Sequence, residues 1–293
     1  MTTHKVAPLR QAERRRAQSA MSRFLYWVAE HALLIVLAIL FMAPLVFVLL
    51  TSFMSANQTL TATLWPNPWD FGNYLRGFTQ VPLALWFGNS FMYAGLSTVF
   101  MLISSVPAAY VLARIRIRFA NTIFLAIIVA MLLPPQVTIV PIYVMWSQLG
   151  LTGTLWPLIL PNILGDAFSI FLLRQFFLTI PSEYADAARI DGNGELGVLL
   201  RVIVPMARPG IAASAIFLFF HCWNDYFGPL MYSSENPNNW PVAYGLAGFH
   251  GSHGTDWGTT MAVTTLVTIP VVIIFFFAQR VFVEGITLIG VKG

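Results

Sequence analysis

Six predominantly apolar runs, each long enough to cross a hydrocarbon layer, constrain this chain more than any other feature. They read as His31–Phe53, Trp86–Leu112, Ala120–Trp146, Leu155–Leu178, Pro209–Tyr232 and Met261–Val283. A transmembrane helix needs about 20 such residues. Lipid offers no partner to a bare N–H or C=O, so spans of this length are helices rather than open strands. Composition agrees: 57% of residues are hydrophobic and 10% charged, whereas roughly a quarter are charged in soluble domains. The expectation is an all-α membrane protein with six transmembrane helices. No loop among its 293 residues is long enough for a second globular domain.

Lys and Arg concentrate on the cytoplasmic side of a bilayer, which gives an independent reading of the number of spans. Lys5, Arg10, Arg14, Arg15, Arg16 and Arg23 precede the first run; Arg114, Arg116 and Arg118 follow the second. Arg174, Arg189, Arg201 and Arg208 are assigned between the fourth and fifth, and Arg280 and Lys292 close the chain. Only Arg76 falls on the other side, so both termini are expected to be cytoplasmic. The first run exceeds the roughly 7–15 apolar residues of a cleavable signal, and reads as an uncleaved span. The expected organisation is a basic segment 1–30, a first helix 31–53, an outer loop 54–85, a five-helix core 86–283 and a cytoplasmic tail 284–293. A cytoplasmic loop at about 179–208 interrupts that core.

Several function classes fall away. The net charge of +4 sits in short segments between apolar runs, so nucleic acid is not the expected partner. One cysteine, Cys222, supports neither a disulfide framework nor a thiolate metal site. His250 and His253 form a His-x-x-His with no adjacent Cys and few carboxylates, so no metal is expected. The only lysines are Lys5 and Lys292, so Gly-x-x-x-x-Gly-Lys-Ser/Thr is absent and the chain cannot hydrolyse ATP by P-loop chemistry. No acid, base and nucleophile set is evident, so the chain is read as non-catalytic.

The remaining classes are transporters. The outer segments Ser55–Leu85 and Ser233–Thr260 are rich in Asn, Pro, Gly and Trp and suit a docking surface. Prolines within the runs, including Pro107, Pro134, Pro135, Pro141 and Pro161, free carbonyls that a neighbour or a wet cavity must satisfy. Polar residues deep in a span are costly and face a cavity or another helix. Asn162, Asp166, Trp223, Asn224, Asp225 and Tyr226 are therefore candidates for lining a solute pathway, with interhelical hydrogen bonding as the alternative. A self-sufficient ion-coupled transporter is the competing function, but it favours internal repeats or several intramembrane carboxylates. Asp166 and Asp225 are the only two such carboxylates.

The long cytoplasmic loop carries the sharpest signal. Thr179 to Gly194 reads as a short helix, with Ser182 as N-cap, Glu183 favouring the positive end of the dipole, and Gly192 stopping it in a left-handed conformation. A second helical stretch, 194–204, runs into Pro205. Ala187-Ala188 leaves little bulk, so another backbone could approach closely, with Glu183, Asp186, Arg189 and Asp191 around it. An amphipathic helix on lipid headgroups is the other reading of these residues.

Asp186-Ala187-Ala188, three residues, Gly192, nine residues and then Val202-Ile203-Val204-Pro205 resembles the Glu-Ala-Ala loop of permease subunits in bacterial ABC importers. The departures are Asp186 for Glu, Val202 for Ile, Val204 for Leu and Asn193 for a common Ala after the Gly. Met131–Gln136, Leu149–Thr154, Phe171–Phe177, Trp223-Asn224-Asp225-Tyr226 and Gly290–Gly293 resemble the maltose-type carbohydrate-uptake branch.

The resemblance implies a type I ABC importer transmembrane fold in a bacterial cytoplasmic membrane, crossed several times. It implies a second permease subunit, usually different, two P-loop ATPase subunits that hold ATP and Mg, and an extracytoplasmic solute-binding protein. No cofactor is expected on this chain. Glu183, Tyr184, Ala185, Asp186, Ala187, Ala188, Arg189, Ile190, Asp191 and Gly192 are then the ATPase-coupling loop. The tail Gly285–Gly293 would reach between the ATPase subunits.

Overall fold

The computed structural model describes residues 7–61, 63–252 and 256–290, and every regular element among them is helical. The backbone of Ala7–Thr51 forms one helix, α1, which begins well before the apolar run and takes in most of the basic segment. After a stretch with one 3-10 turn, Gln58–Leu60, come α2 (Gly72–Gln80) and α3 (Leu83–Arg114). Next follow α4 (Ala120–Leu132), α5 (Pro135–Gln148), α6 (Trp156–Ile159) and α7 (Ala167–Thr179). The segment 180–207 holds α8 (Ser182–Ile190), α9 (Glu195–Val198), a π-helical turn at Leu199–Ile203 and α10 (Val204–Met206). The remainder is α11 (Arg208–Trp223), α12 (Phe227–Tyr232), α13 (Val242–Ser252) and α14 (Trp257–Gly290). Residues 291–293, with Lys292, and His253 lie outside the described residues, as do the side chains of His250 and Arg280 and those of the basic segment up to residue 21.

Four stretches are long and apolar enough to cross a membrane unaided: Leu25–Thr51, Leu83–Arg114, Trp156–Thr179 and Trp257–Gln279. Two bent pairs raise the number to as many as six: Ala120–Leu132 with Gln136–Gln148, at 95°, and Glu195–Met206 with Arg208–Trp223, at 81°. The third apolar run is thus not one straight helix. Pro134 sits at φ −62°, ψ 130°, an extended conformation, and neither Pro134 nor Pro135 can donate a ladder hydrogen bond. The fourth run is interrupted by a 3-10 turn, Leu160–Leu164, and by Gly165 at φ +96°, a conformation glycine adopts without strain. The fifth ends at Trp223 rather than Tyr232, because Asp225 Oδ1 accepts the Gly228 N–H and starts α12 as a separate helix. Arg174 belongs to α7, not to the loop after it; its Nε donates to the Leu112 carbonyl and its guanidinium lies 4.0 Å from the Phe124 ring centroid.

The α3 helix is the hub, packed against α7 and α11. Three apolar clusters follow it from end to end. Toward α8 and α9, Ala109, Tyr110, Leu173, Phe177, Val198 and Ile203 pack together. Tyr93, Met101, Ile159, Leu218 and Cys222 form the second, and Leu83, Trp86, Trp223, Val242 and Val263 the third. Fully buried serines stitch this hub to irregular backbone: Ser90 Oγ accepts the Val242 N–H at 2.7 Å, and Ser105 Oγ the Asp166 N–H at 3.0 Å. Close helix approach depends on glycine at Gly210, where an added Cβ would stand 2.6 Å from the Phe176 ring. Helix α1 stands apart, packed chiefly along α14, and the most apolar part of its span buries nothing within the chain.

Arg76, the one basic residue outside the cytoplasmic pattern, is held on α2. It pairs with Asp70 at 2.7 Å and donates to Asn73 and Thr259. The Arg76 guanidinium holds the Asp70 carboxyl below the ordinary carboxylate range. Asn73 is fully buried and donates to the carbonyls of Ser52 and Met54, tying the segment after α1 to α2.

Candidate functional site

Residues 183–192, the expected coupling loop, fold into one compact unit around α8. Its first residue is Ser182, so the cap position falls to Pro181, which has no side-chain hydroxyl, and no side-chain cap bond forms. The expected Ser182 N-cap is therefore corrected by one position: Pro181, with its fixed φ of −57°, leads the chain in. At the other end Gly192 takes φ +84° and its N–H donates to the Arg189 carbonyl at 3.0 Å. The Asn193 N–H and Nδ2 both reach the Ala188 carbonyl. Carbonyls left open by the helix end are closed in this way.

The two faces of α8 differ. Ala185 and Ala188, one turn apart, are 2% and 7% exposed and join the cluster of Phe177, Ile180, Val198 and Leu199. Tyr184, Ala187 and Ile190 point the other way, Ile190 with 87% of its surface exposed. Leu196 and Leu200 extend the exposed apolar face beyond the helix. The Ala187-Ala188 pair is thus divided: Ala187 faces outward, while the small size of Ala188 serves close packing within this chain. That corrects the expectation that both alanines admit an external backbone. Helical periodicity puts adjacent residues about 100° apart, so they cannot share one face.

Charge pairing around α8 is internal as well. Arg189 Nη1 donates to Asp186 Oδ1 at 2.7 Å and its Nε to Glu195 Oε1 at 2.8 Å. The Glu195 and Asp186 carboxylates, Glu195 foremost, raise the Arg189 guanidinium above its ordinary value, so it stays charged at any physiological pH. Glu195 also accepts the Tyr110 hydroxyl at 2.6 Å. Arg114, at the end of α3, donates to the carbonyls of Phe177 and Ile180 and so fixes the approach to α8. A cleft of about 490 Å³ separates the α3–α4 connection from α8, lined by Arg114, Arg116, Asp186, Arg189 and Glu195 among others. Glu183 and Asp191 are exposed at the ends of the helix. Glu195 and Tyr110 were not among the sequence candidates. Glu195 is three residues beyond Gly192 and could have been suspected as a partner for Arg189, but nothing in the sequence places Tyr110 there.

The pathway candidates fall into two groups. Asn162 lies in the 3-10 turn; its Nδ2 donates to the Leu158 and Ile159 carbonyls and its own carbonyl accepts from Ser104. Asp166 caps α7, with Oδ2 accepting both the Ser169 N–H at 2.7 Å and its hydroxyl at 2.6 Å. Trp223 is 1% exposed and packs on Phe87, Phe91 and Phe219, so it is a core residue in this conformation. Asn224 ends α11 and donates to the Phe220 carbonyl. Asp225 accepts the Tyr93 hydroxyl at 2.9 Å and Tyr226 lies against Tyr244. Asn162, Asp166, Asn224 and Asp225 thus each have a local hydrogen-bond partner, whereas the buried Trp223 Nε1–H has none. Asp166→Ala should lower the thermal stability of the detergent-solubilised complex by about 1 kcal/mol, the usual worth of an N-cap. The half-saturation of uptake should stay unchanged if Asp166 only caps α7, and should rise if it also meets solute.

Among the described residues no group of three or more His, Cys, Asp or Glu could hold a metal ion.

Residues 105–288 match the family of binding-protein-dependent transport system inner membrane components. An arabinooligosaccharides transport system permease protein of Halalkalibacterium halodurans is 31% identical over 255 residues, covering 85% of this chain and 91% of that protein. The sn-glycerol-3-phosphate transport system permease protein of Yersinia pestis is 31% identical over 266 residues, covering 87% and 94%. Among solved structures, a bacterial ABC transporter involved in import of the acidic polysaccharide alginate superposes with a TM-score of 0.76 at 25% identity, covering 88% and 97%. The motif around Asp186–Gly192, the helical architecture and these likenesses agree: this chain is a membrane permease of the ABC importer type and belongs to the binding-protein-dependent transport system inner membrane component family.

Proposed function

We propose that the chain forms half of the translocation pathway of an ATP-driven importer for a sugar or sugar-like solute. It works with a second, different permease subunit, two P-loop ATPase subunits that bind ATP and Mg, and an extracytoplasmic solute-binding protein. Its site is the bacterial cytoplasmic membrane, which it crosses six times with both termini inside. The observation that carries the reading is α8: a short helix seated on the chain's own core by Ala185 and Ala188, with Tyr184, Ala187 and Ile190 facing outward. Such a helix is a rigid knob for a partner that supplies energy this chain has no means to release. The loop Glu183–Gly192 is then the ATPase-coupling element. The carbohydrate class is supported by the relatives, whose transport systems handle arabinooligosaccharides and sn-glycerol-3-phosphate.

Affinity purification of the tagged chain in mild detergent, followed by mass spectrometry, tests the assembly. Recovery of a P-loop ATPase and a second permease is the expected result. A chain that purifies alone and still transports solute contradicts it.

A further inference from the structure

Three helices, α3, α8 and α9, meet at one carboxylate. Tyr110, near the cytoplasmic end of α3 and 2% exposed, donates its hydroxyl to Glu195 Oε2 at 2.6 Å. Glu195 Oε1 accepts Arg189 Nε at 2.8 Å, and Arg189 Nη2 reaches Oε2 at 3.2 Å. Arg189 Nη1 in turn holds Asp186 Oδ1 at 2.7 Å. A continuous polar chain therefore runs from the exposed edge of α8, through the start of α9, to a buried side chain of the hub helix.

Its geometry suits transmission better than stability. The Asp186 and Glu195 side chains are 60% and 48% exposed, and pairs so open to water contribute little to folding. A two-point guanidinium–carboxylate contact nevertheless fixes direction, since both groups are planar and neither can rotate without breaking a bond. The apolar seat of α8 has the opposite character. Its buried side chains, Ala185 and Ala188, each present a single methyl group, and methyl contacts can slide. Arg114 fixes the carbonyls of Phe177 and Ile180, which precede α8, and reaches none of the helix's own carbonyls. The α3 helix is also the element packed against both α7 and α11, so a displacement delivered to Tyr110 reaches most of the bundle.

We propose that Glu195 is a positioning residue that carries displacements of α8 to α3 through the Tyr110 hydroxyl. This deepens the proposed function and rests on that reading.

The test uses the full complex, reconstituted with its co-purifying ATPase and permease subunits and its solute-binding protein. Tyr110→Phe removes only the hydroxyl, and Glu195→Gln removes the charge while keeping the shape. Both variants should retain the ATPase subunits, the wild-type melting temperature and ATP hydrolysis within about twofold, while solute moved per ATP falls roughly fivefold or more. The double variant should lose no more than the worse single one, because both act on one link. Unchanged solute per ATP in both single variants overturns the proposal. So does loss of ATPase subunits or of melting temperature in parallel with uptake, which marks a seat and not a link. A wild-type chain recovered without any ATPase defeats the importer reading itself, whereas a wild-type complex with indifferent variants defeats only the Glu195 link.

Discussion

Ala188→Glu should strip the ATPase subunits from the complex and reduce uptake to background. The methyl of Ala188 is 7% exposed, packed in the cluster of Phe177, Ile180 and Val198. A glutamate there must bury a carboxylate among apolar side chains or push α8 off its seat. Leaving an unpaired charge buried costs about 3–5 kcal/mol, more than a nine-residue helix at the edge of the fold can absorb. Ala187→Glu gives the contrast. Ala187 is exposed, and a surface change of this kind shifts stability by about 0.5 kcal/mol or less. It should leave the melting temperature alone while weakening ATPase retention. Melting in detergent, set beside the ATPase-to-permease ratio of the purified complex, separates the two. Equal melting temperatures for the two variants would refute the assignment of Ala188 to the inner face.

Gly192→Pro should abolish coupled uptake with comparable force. At φ +84° Gly192 occupies a region closed to proline, whose ring fixes φ near −65°. The change also removes the N–H that closes the helix end on the Arg189 carbonyl. Gly192→Ala meets only the left-handed strain, about 1–2 kcal/mol, and no atom lies within 4 Å of its added Cβ. A graded series follows: wild-type uptake above Gly192→Ala, and Gly192→Pro at background, with helix content by circular dichroism unchanged throughout. The spans do not depend on this turn. An inactive Gly192→Ala alongside an active Gly192→Pro would contradict the conformational account.

Much of this architecture is legible in the residues because membranes impose simple rules. Apolar length marked the long helices, four of which could cross a membrane unaided. The Asp186–Gly192 spacing marked helix α8, where the left-handed Gly192 is a local requirement. What hydropathy could not reveal is where a run bends. Ala120–Trp146 is one stretch of apolar residues, yet Pro134 and Pro135 divide it into helices at 95°. Hydropathy weighs a residue's transfer free energy and takes no account of a missing N–H. The inner and outer faces of α8 were equally hidden, since alanine suits either, and only packing against Phe177 and Val198 decides. Polarity within a span, the signal that picked out Asp166, does not distinguish a solute ligand from a helix cap. In this structure its Oδ2 is occupied by Ser169. Tyr110 shows a further limit: 85 residues separate it from Glu195, and no local pattern encodes such a contact.

The central claim is that this permease is driven from outside itself, through α8. The most direct measurement is solute uptake into proteoliposomes carrying the whole complex, with ATP and Mg enclosed or withheld and with proton and sodium gradients collapsed by ionophores. The account predicts uptake that requires enclosed ATP, needs the solute-binding protein outside, and is indifferent to ionophore. Uptake without ATP that disappears when the ion gradients collapse would contradict it and make the chain an ion-coupled transporter.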